Sequence, residues 1–255
     1  VFYGGLSLAK CIRCIGPLEV LRPRCSLFFG KRRFERWERF ENEMILKHKY
    51  ISTQSDWVRA HISQVNPGCD VLKTGIALRK EFLDAHPWRL VEDHGSTGPY
   101  IFASSSGPMA YKGLHAAMRA IAILKKKHPR IVLNIAGDIM GVGIRRSGYA
   151  RWLQRETRRL QITESVCWLG PLSADEIIRE LHRSSAVVVP SFVETYSLAL
   201  AEAMVVGVPA VVSYSGAMPE LARDGESALF FPPGDESACA WQLDRILGDD
   251  GLAER

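Results

Sequence analysis

Between residues 100 and 247 the chain alternates short β-branched runs with helical stretches about six times. The strands are expected at 100–103, 131–136, 166–169, 186–189, 209–212 and 228–231. The helices between and after them are expected at 114–128, 148–160, 173–182, 197–206, 219–223 and 236–247. Parallel neighbours need a crossover, and a helix is the usual one. The alternation therefore predicts an α/β domain with a parallel sheet and helices on both faces. Ala186-Val-Val-Val189 is apolar at every position, as a strand covered on both faces should be. Ser173 with Glu176 three residues on predicts a capping box at the start of the third of these helices.

The first quarter reads differently. Gly4-Gly5, Gly16-Pro17 and Pro23 break up residues 1–30. Residues 31–49 predict a helix with Phe34, Trp37, Met44 and Ile45 as a core-facing stripe and Lys31, Arg32, Arg36, Arg39 and Glu43 largely elsewhere. Short strands at 50–53 and 70–74 flank a helix opened by Ser55, and Asn66-Pro67-Gly68 predicts a turn. Residues 75–99 lack periodicity and read as an interdomain linker. The 255 residues suffice for one large or two modest domains. No run of eighteen apolar residues occurs, so no transmembrane helix is expected.

Residues 1–60 hold twelve Lys/Arg against six Asp/Glu, whereas the rest of the chain is nearly balanced. A solvated face explains the excess, and contact with an anionic membrane surface or an acidic acceptor is the sharper alternative. Of the six cysteines only Cys11 and Cys14 are close, which is not zinc spacing. Free thiols in a reducing, cytoplasmic setting are the expectation, with membrane-peripheral association as the variant the basic excess suggests.

Lys112 precedes a helix at the end of a strand–loop, where a compact cation and helix amides suit a phosphate. The loop is neither a Walker A sequence nor Gly-x-Gly-x-x-Gly; after Gly141-x-Gly143 the third glycine is replaced, with Arg145 and Arg146 there. No Gly-x-Ser-x-Gly nucleophile turn is present. Glu194 lies on the loop after the 186–189 strand and Glu202 on the next helix. Ligands of open α/β sheets sit beyond the carboxyl ends of the strands. Two carboxylates there can each accept a pair of hydroxyl hydrogen bonds, as from a hexose and a ribose. An exposed loop glutamate and a helix-surface glutamate fit the residues equally well. His115, His128 and His182 read as helix-surface or capping residues.

Taken together, these segments resemble the retaining family-4 glycosyltransferases of the GT-B fold. The resemblance rests on Glu194 and Glu202 with seven residues between them, Pro190-Ser191, residues 198–204, and Gly207 with Pro209. It also rests on Lys112-Gly113, Trp168-Leu169-Gly170, Gly216 with Pro219-Glu220, and residues 231–235. It covers residues 96–248. It implies a Rossmann-like donor domain at 96–248, the remnant of an acceptor domain plus linker at 1–95, and a tail at 249–255. It further implies that Glu194 contacts the transferred sugar, Glu202 the donor ribose, and Lys112 the diphosphate as negative charge develops on the leaving group. Lys112 and Glu194 are thus the implied catalytic pair. Gly113, Thr195 and the amides of Tyr196, Ser197 and Leu198 complete the donor site, with Leu169, Gly170 and Leu172 beside the nucleobase.

The implied reaction moves a sugar from a nucleotide-sugar to a hydroxyl of an unidentified glycan, lipid or small molecule, with retained anomeric configuration. No cofactor, divalent metal or nucleic acid is implied. A binding module without turnover is the alternative. Two departures stand out. Ser104, Ser105 and Ser106 occupy a region where many members carry an arginine, for which Arg145 is a candidate substitute. Only the last part of an acceptor domain has a counterpart, so the chain reads as a fragment with little or no transfer activity alone.

Overall fold

The computed structural model describes residues 31–90, 98–105, 109–138 and 148–254. The readings placed on residues 1–30, Ser106, Gly141, Gly143, Arg145 and Arg146 lie outside the described residues, as do the side chains of Phe34 and Trp37.

The first unit is small. Helix α1 (Lys31–Lys47) leads to strand β1 (Tyr50–Thr53), helix α2 (Asp56–Val65) and strand β2 (Asp70–Lys73). The strands pair in parallel, Tyr50 opposite Asp70 through Thr53 opposite Lys73. Ser55 caps α2, its hydroxyl accepting from the Val58 amide at 3.3 Å. The core is Ile45, Val58 and Ile62. Met44, expected beside Ile45 on the buried stripe, is exposed. Adjacent helical positions point about 100° apart, so α2 covers one and not the other.

The second unit begins within the stretch read as a linker. Helix α3 (Lys80–Leu83) buries Phe82 completely in the core of the large sheet. Trp88 follows: its amide donates to the Val206 carbonyl at 2.7 Å and its indole N–H to the Ser184 carbonyl at 2.9 Å. Residues 80–90 are thus fastened to the large unit by apolar burial and by indole and backbone hydrogen bonds.

The remaining elements follow the expected alternation. They are β3 (Tyr100–Ser104), α4 (Leu114–Leu124), β4 (Val132–Ala136), α5 (Gly148–Arg159), β5 (Val166–Gly170), α6 (Ala174–Arg183) and β6 (Ala186–Val189). After them come α7 (Leu198–Val206), β7 (Ala210–Ser213), α8 (Met218–Leu221), β8 (Leu229–Phe231), α9 (Glu236–Gly248) and α10 (Asp250–Ala253). The sheet is parallel throughout, in the order β5-β4-β3-β6-β7-β8. The chain enters at the centre, winds outward to β5, then crosses to β6 and winds the other way. This is the doubly wound dinucleotide-binding order, with its reversal between β3 and β6. All four residues of β6 are buried. The Ser173–Glu176 capping box is present, the Glu176 carboxylate accepting from the Ser173 amide at 2.7 Å. Within the stretch read as a tail, Asp249 caps α10 and Ala253 joins the core.

Candidate functional site

A cavity of about 550 Å³ opens at the carboxyl ends of the strands, where the winding reverses. It gathers Lys112, Leu172, Glu194, Thr195, Tyr196, Ser197, Leu198 and Glu202 in one wall. Gly113, Leu169 and Gly170 lie outside that wall. The cavity also takes in Arg79, Ser104, Ser105 and Asp138. A smaller cavity, about 160 Å³, lies at the opposite end of β7 and β8 and has one carboxylate, Glu226. It is on the wrong edge of the sheet for the usual ligand position.

Lys112 ends a short 3-10 turn, Ala110–Lys112, and Gly113 then takes a left-handed conformation, φ +70°. A Cβ on Gly113 would lie 1.8 Å from the Pro190 carbonyl oxygen. The loop after β6 therefore passes directly over this glycine, bringing that loop to Lys112. Lys112 Nζ lies 2.8 and 3.0 Å from the two carboxylate oxygens of Glu194. Ser191 Oγ donates to the same carboxylate at 2.7 Å. Ser191 is itself held, its carbonyl accepting from the hydroxyls of Ser215, at 2.7 Å, and Ser213.

The backbone of Glu194 is clamped from below. Its carbonyl accepts from the Ala217 amide at 2.9 Å, and a Cβ on Gly216 would sit 2.0 Å from that oxygen. Gly216 also has φ +54°, so glycine is required there both for space and for backbone conformation.

Glu202 comes from inside α7 and is 7% exposed. A buried carboxylate needs a partner. That partner is Arg79, whose Nη2 lies 2.8 Å from Oε1. Arg79 reaches in from the residue before α3, its guanidinium 4.7 Å from the centre of the Phe82 ring. Ser197, at the mouth of α7, has φ +86°, a left-handed conformation that costs about 1–2 kcal/mol in a non-glycine residue. Its hydroxyl accepts from the Leu200 amide at 3.4 Å. The N-terminus of α7 thus forms part of the cavity wall, where its unpaired amides and dipole suit an anion.

A side cavity of about 240 Å³ adjoins through Tyr196 and is bounded by Gln54, Ser55, Lys73 and Glu220. Glu220 accepts from the amides of Asp56, at 2.8 Å, and Trp57, at 2.6 Å, and lies 3.1 Å from Lys73 Nζ. It is a carboxylate cap for α2 supplied by the other unit. Burial alone would push its pKa up. The two amides and Lys73 outweigh that and hold it below the ordinary glutamate value.

His115, expected on a helix surface, is buried. Its Nδ1 lies 2.9 Å from the Tyr149 hydroxyl and its ring stacks on Phe192. The helix α4 begins against the loop after β6 and beside α5, so its first turn is covered on two sides. His128 and His182 meet Asp244 and the His86 carbonyl. Among the described residues no group of three or more His, Cys, Asp or Glu is placed to hold a metal ion. No described helix is long and apolar enough to cross a membrane.

The fold and the cavity together define a doubly wound α/β protein with two cation-paired glutamates at its crossover. The profile of the glycosyl transferases group 1 family matches residues 88–255, and the chain belongs to that family. Glycogen synthase of Mycobacterium tuberculosis is 29% identical over 185 residues, 71% of this chain and 42% of that protein. D-inositol 3-phosphate glycosyltransferase of Streptomyces bingchenggensis is 29% identical over 157 residues, 61% of this chain and 34% of that protein. The chain spans less than half the length of these relatives.

Among solved structures, sucrose-phosphate synthase from Thermosynechococcus elongatus superposes with a TM-score of 0.77 at 20% identity, covering 99% of this chain and 59% of that one. Anabaena HepE, solved in complex with UDP and glucose, gives 0.68 at 17% identity, covering 86% of this chain and 60% of that one. The fold is α/β of the GT-B type.

Proposed function

We propose that the 550 Å³ cavity binds a nucleotide-diphosphate sugar and that the protein moves the sugar to a hydroxyl acceptor with retained anomeric configuration. The observation that carries this reading is the convergence of Lys112, Glu194, Glu202 and the α7 N-terminus at the sheet reversal. Glu202 takes the ribose hydroxyls and Glu194 those of the transferred sugar. Lys112 and the α7 amides meet the diphosphate and stabilise it as the leaving group. These groups place positive potential beside the leaving group, and no divalent metal is part of this reading. The UDP and glucose held by HepE support the ligand class. The acceptor is a hydroxyl on a glycan, a lipid or a small molecule.

Calorimetry with UDP, GDP and ADP tests the reading. One of them should bind. Glu202→Ala should weaken that nucleotide about tenfold or more, a loss of roughly 1.4 kcal/mol. Glu194→Ala should spare the nucleotide and weaken the matching nucleotide-sugar. No heat with any nucleotide, or equal small effects of both variants, overturns it.

A further inference from the structure

We infer that Arg79 is a second cation for the diphosphate, exchanging Glu202 for phosphate oxygens as the ribose hydroxyls take its place on that carboxylate. This rests on the nucleotide-sugar reading of the cavity. Among the described lining residues the cations are Arg79 and Lys112, and the carboxylates are Asp138, Glu194 and Glu202. With carboxylates outnumbering cations on the wall, a diphosphate is best met when both cations face it and Glu194 and Glu202 have other donors. In the structure each cation is paired with a carboxylate, Lys112 with Glu194 and Arg79 with Glu202, both at 2.8 Å.

A nucleotide-sugar brings complementary groups for all four. Hydroxyls donate to carboxylates, whereas phosphate oxygens only accept and are best met by cations. Trading partners leaves none of these four groups unpaired. The two members of the Arg79–Glu202 pair differ in a way that suits the exchange. Glu202 is almost wholly buried and must keep a partner, while the Arg79 side chain is 45% exposed and free to turn. Its backbone is fixed by α3 and its guanidinium lies by the Phe82 ring, so only side-chain rotation is needed. A guanidinium also offers a planar fork of donors that fits two phosphate oxygens at once. Among the described residues, the carboxyl end of β3 brings Ser104 and Ser105 to this wall and no cation.

The experiment compares a nucleoside with its diphosphate, using whichever base the wild-type protein binds. Calorimetry is run on wild type, Arg79→Ala and Arg79→Lys at low and high salt. Arg79→Ala should weaken the diphosphate about tenfold, the worth of one charge-assisted hydrogen bond, and leave the nucleoside within about twofold. Its diphosphate affinity should also depend less steeply on salt, and Arg79→Lys should recover part of the loss. Unchanged or tighter diphosphate binding by Arg79→Ala overturns the inference and leaves Arg79 as a counter-ion of Glu202. An equal loss for nucleoside and diphosphate overturns it in favour of a structural role. If wild type binds no nucleotide, the reading of the cavity itself fails, an outcome distinct from both.

Discussion

Two carboxylates of the cavity, Glu194 and Glu202, are held in opposite ways. Glu194 is fixed by its own unit: Lys112, Ser191, Gly216 and Ala217 all belong to the loops at the carboxyl ends of the large sheet. Glu202 relies on Arg79, 123 residues away, and Glu220 joins the same unit to α2 across more than 160 residues. One half of the site is thus a packed backbone clamp, and the other is a charged contact with Arg79, the residue just before α3, close to where Glu220 ties the large unit to α2. A clamp tolerates no added atom, whereas charged contacts can be exchanged without unfolding anything. The backbone at Glu194 is therefore tightly held, whereas the Arg79–Glu202 contact can be exchanged by side-chain rotation.

Breaking the attachment of residues 80–90 should have the largest effect. Phe82→Ala is expected to cost about 3–5 kcal/mol in denaturant unfolding, the range for a fully buried aromatic. A cost below about 1 kcal/mol would mean that this stretch is not fastened to the large unit. Next is the clamp. Gly216→Ala places a Cβ against the Glu194 carbonyl and strains the backbone, for about 2–4 kcal/mol. Gly225→Ala shares the positive φ but meets nothing within 4 Å, so strain alone should cost about 1–2 kcal/mol. Equal losses for the two glycines would remove the clamp from the comparison.

The smallest effect should be at Glu220. Glu220→Gln should cost about 1 kcal/mol at neutral pH, since the amide still accepts one of the backbone hydrogen bonds. The glutamate is more acidic in the folded state than its ordinary value of 4.5, so its stabilisation is present above that value. It fades as pH falls through the lower folded value. The gap in Tm between wild type and Glu220→Gln should therefore close on acidification below about 4.5. A gap independent of pH would show that the carboxylate charge plays no part in joining the two units.

Much of the fold was legible because its signals are local. Each strand of the large sheet can be read from a run of three to five residues, and the Ser173–Glu176 box from four. The cavity was legible in part for the same reason. Lys112 and Glu194 sit in loops that follow strands and Glu202 inside the helix after β6, places that the alternation itself positions. Residues 80–90 gave no such signal. Phe82 and Trp88 stand in a stretch without periodicity, and their partners on α6 and α7 lie about a hundred residues on. His115 misled for a related reason, because a polar residue in a helix's first turn reads as surface until the covering loop is known. Asp138 and Arg79 carried no spacing that tied them to the glutamates; only the cavity does.

By itself the sequence determined the alternation, the parallel sheet, the caps and the glutamate-bearing loop and helix at the carboxyl end of β6. These follow from period, turn chemistry and residue shape over a few positions. The tertiary structure alone decided that Lys112 pairs with Glu194, that Arg79 pairs with Glu202, and that Glu220 caps a helix of the small unit. Ion pairs and caps between distant residues depend on which surfaces meet, and that is set by the packing of the whole chain rather than by any stretch of it.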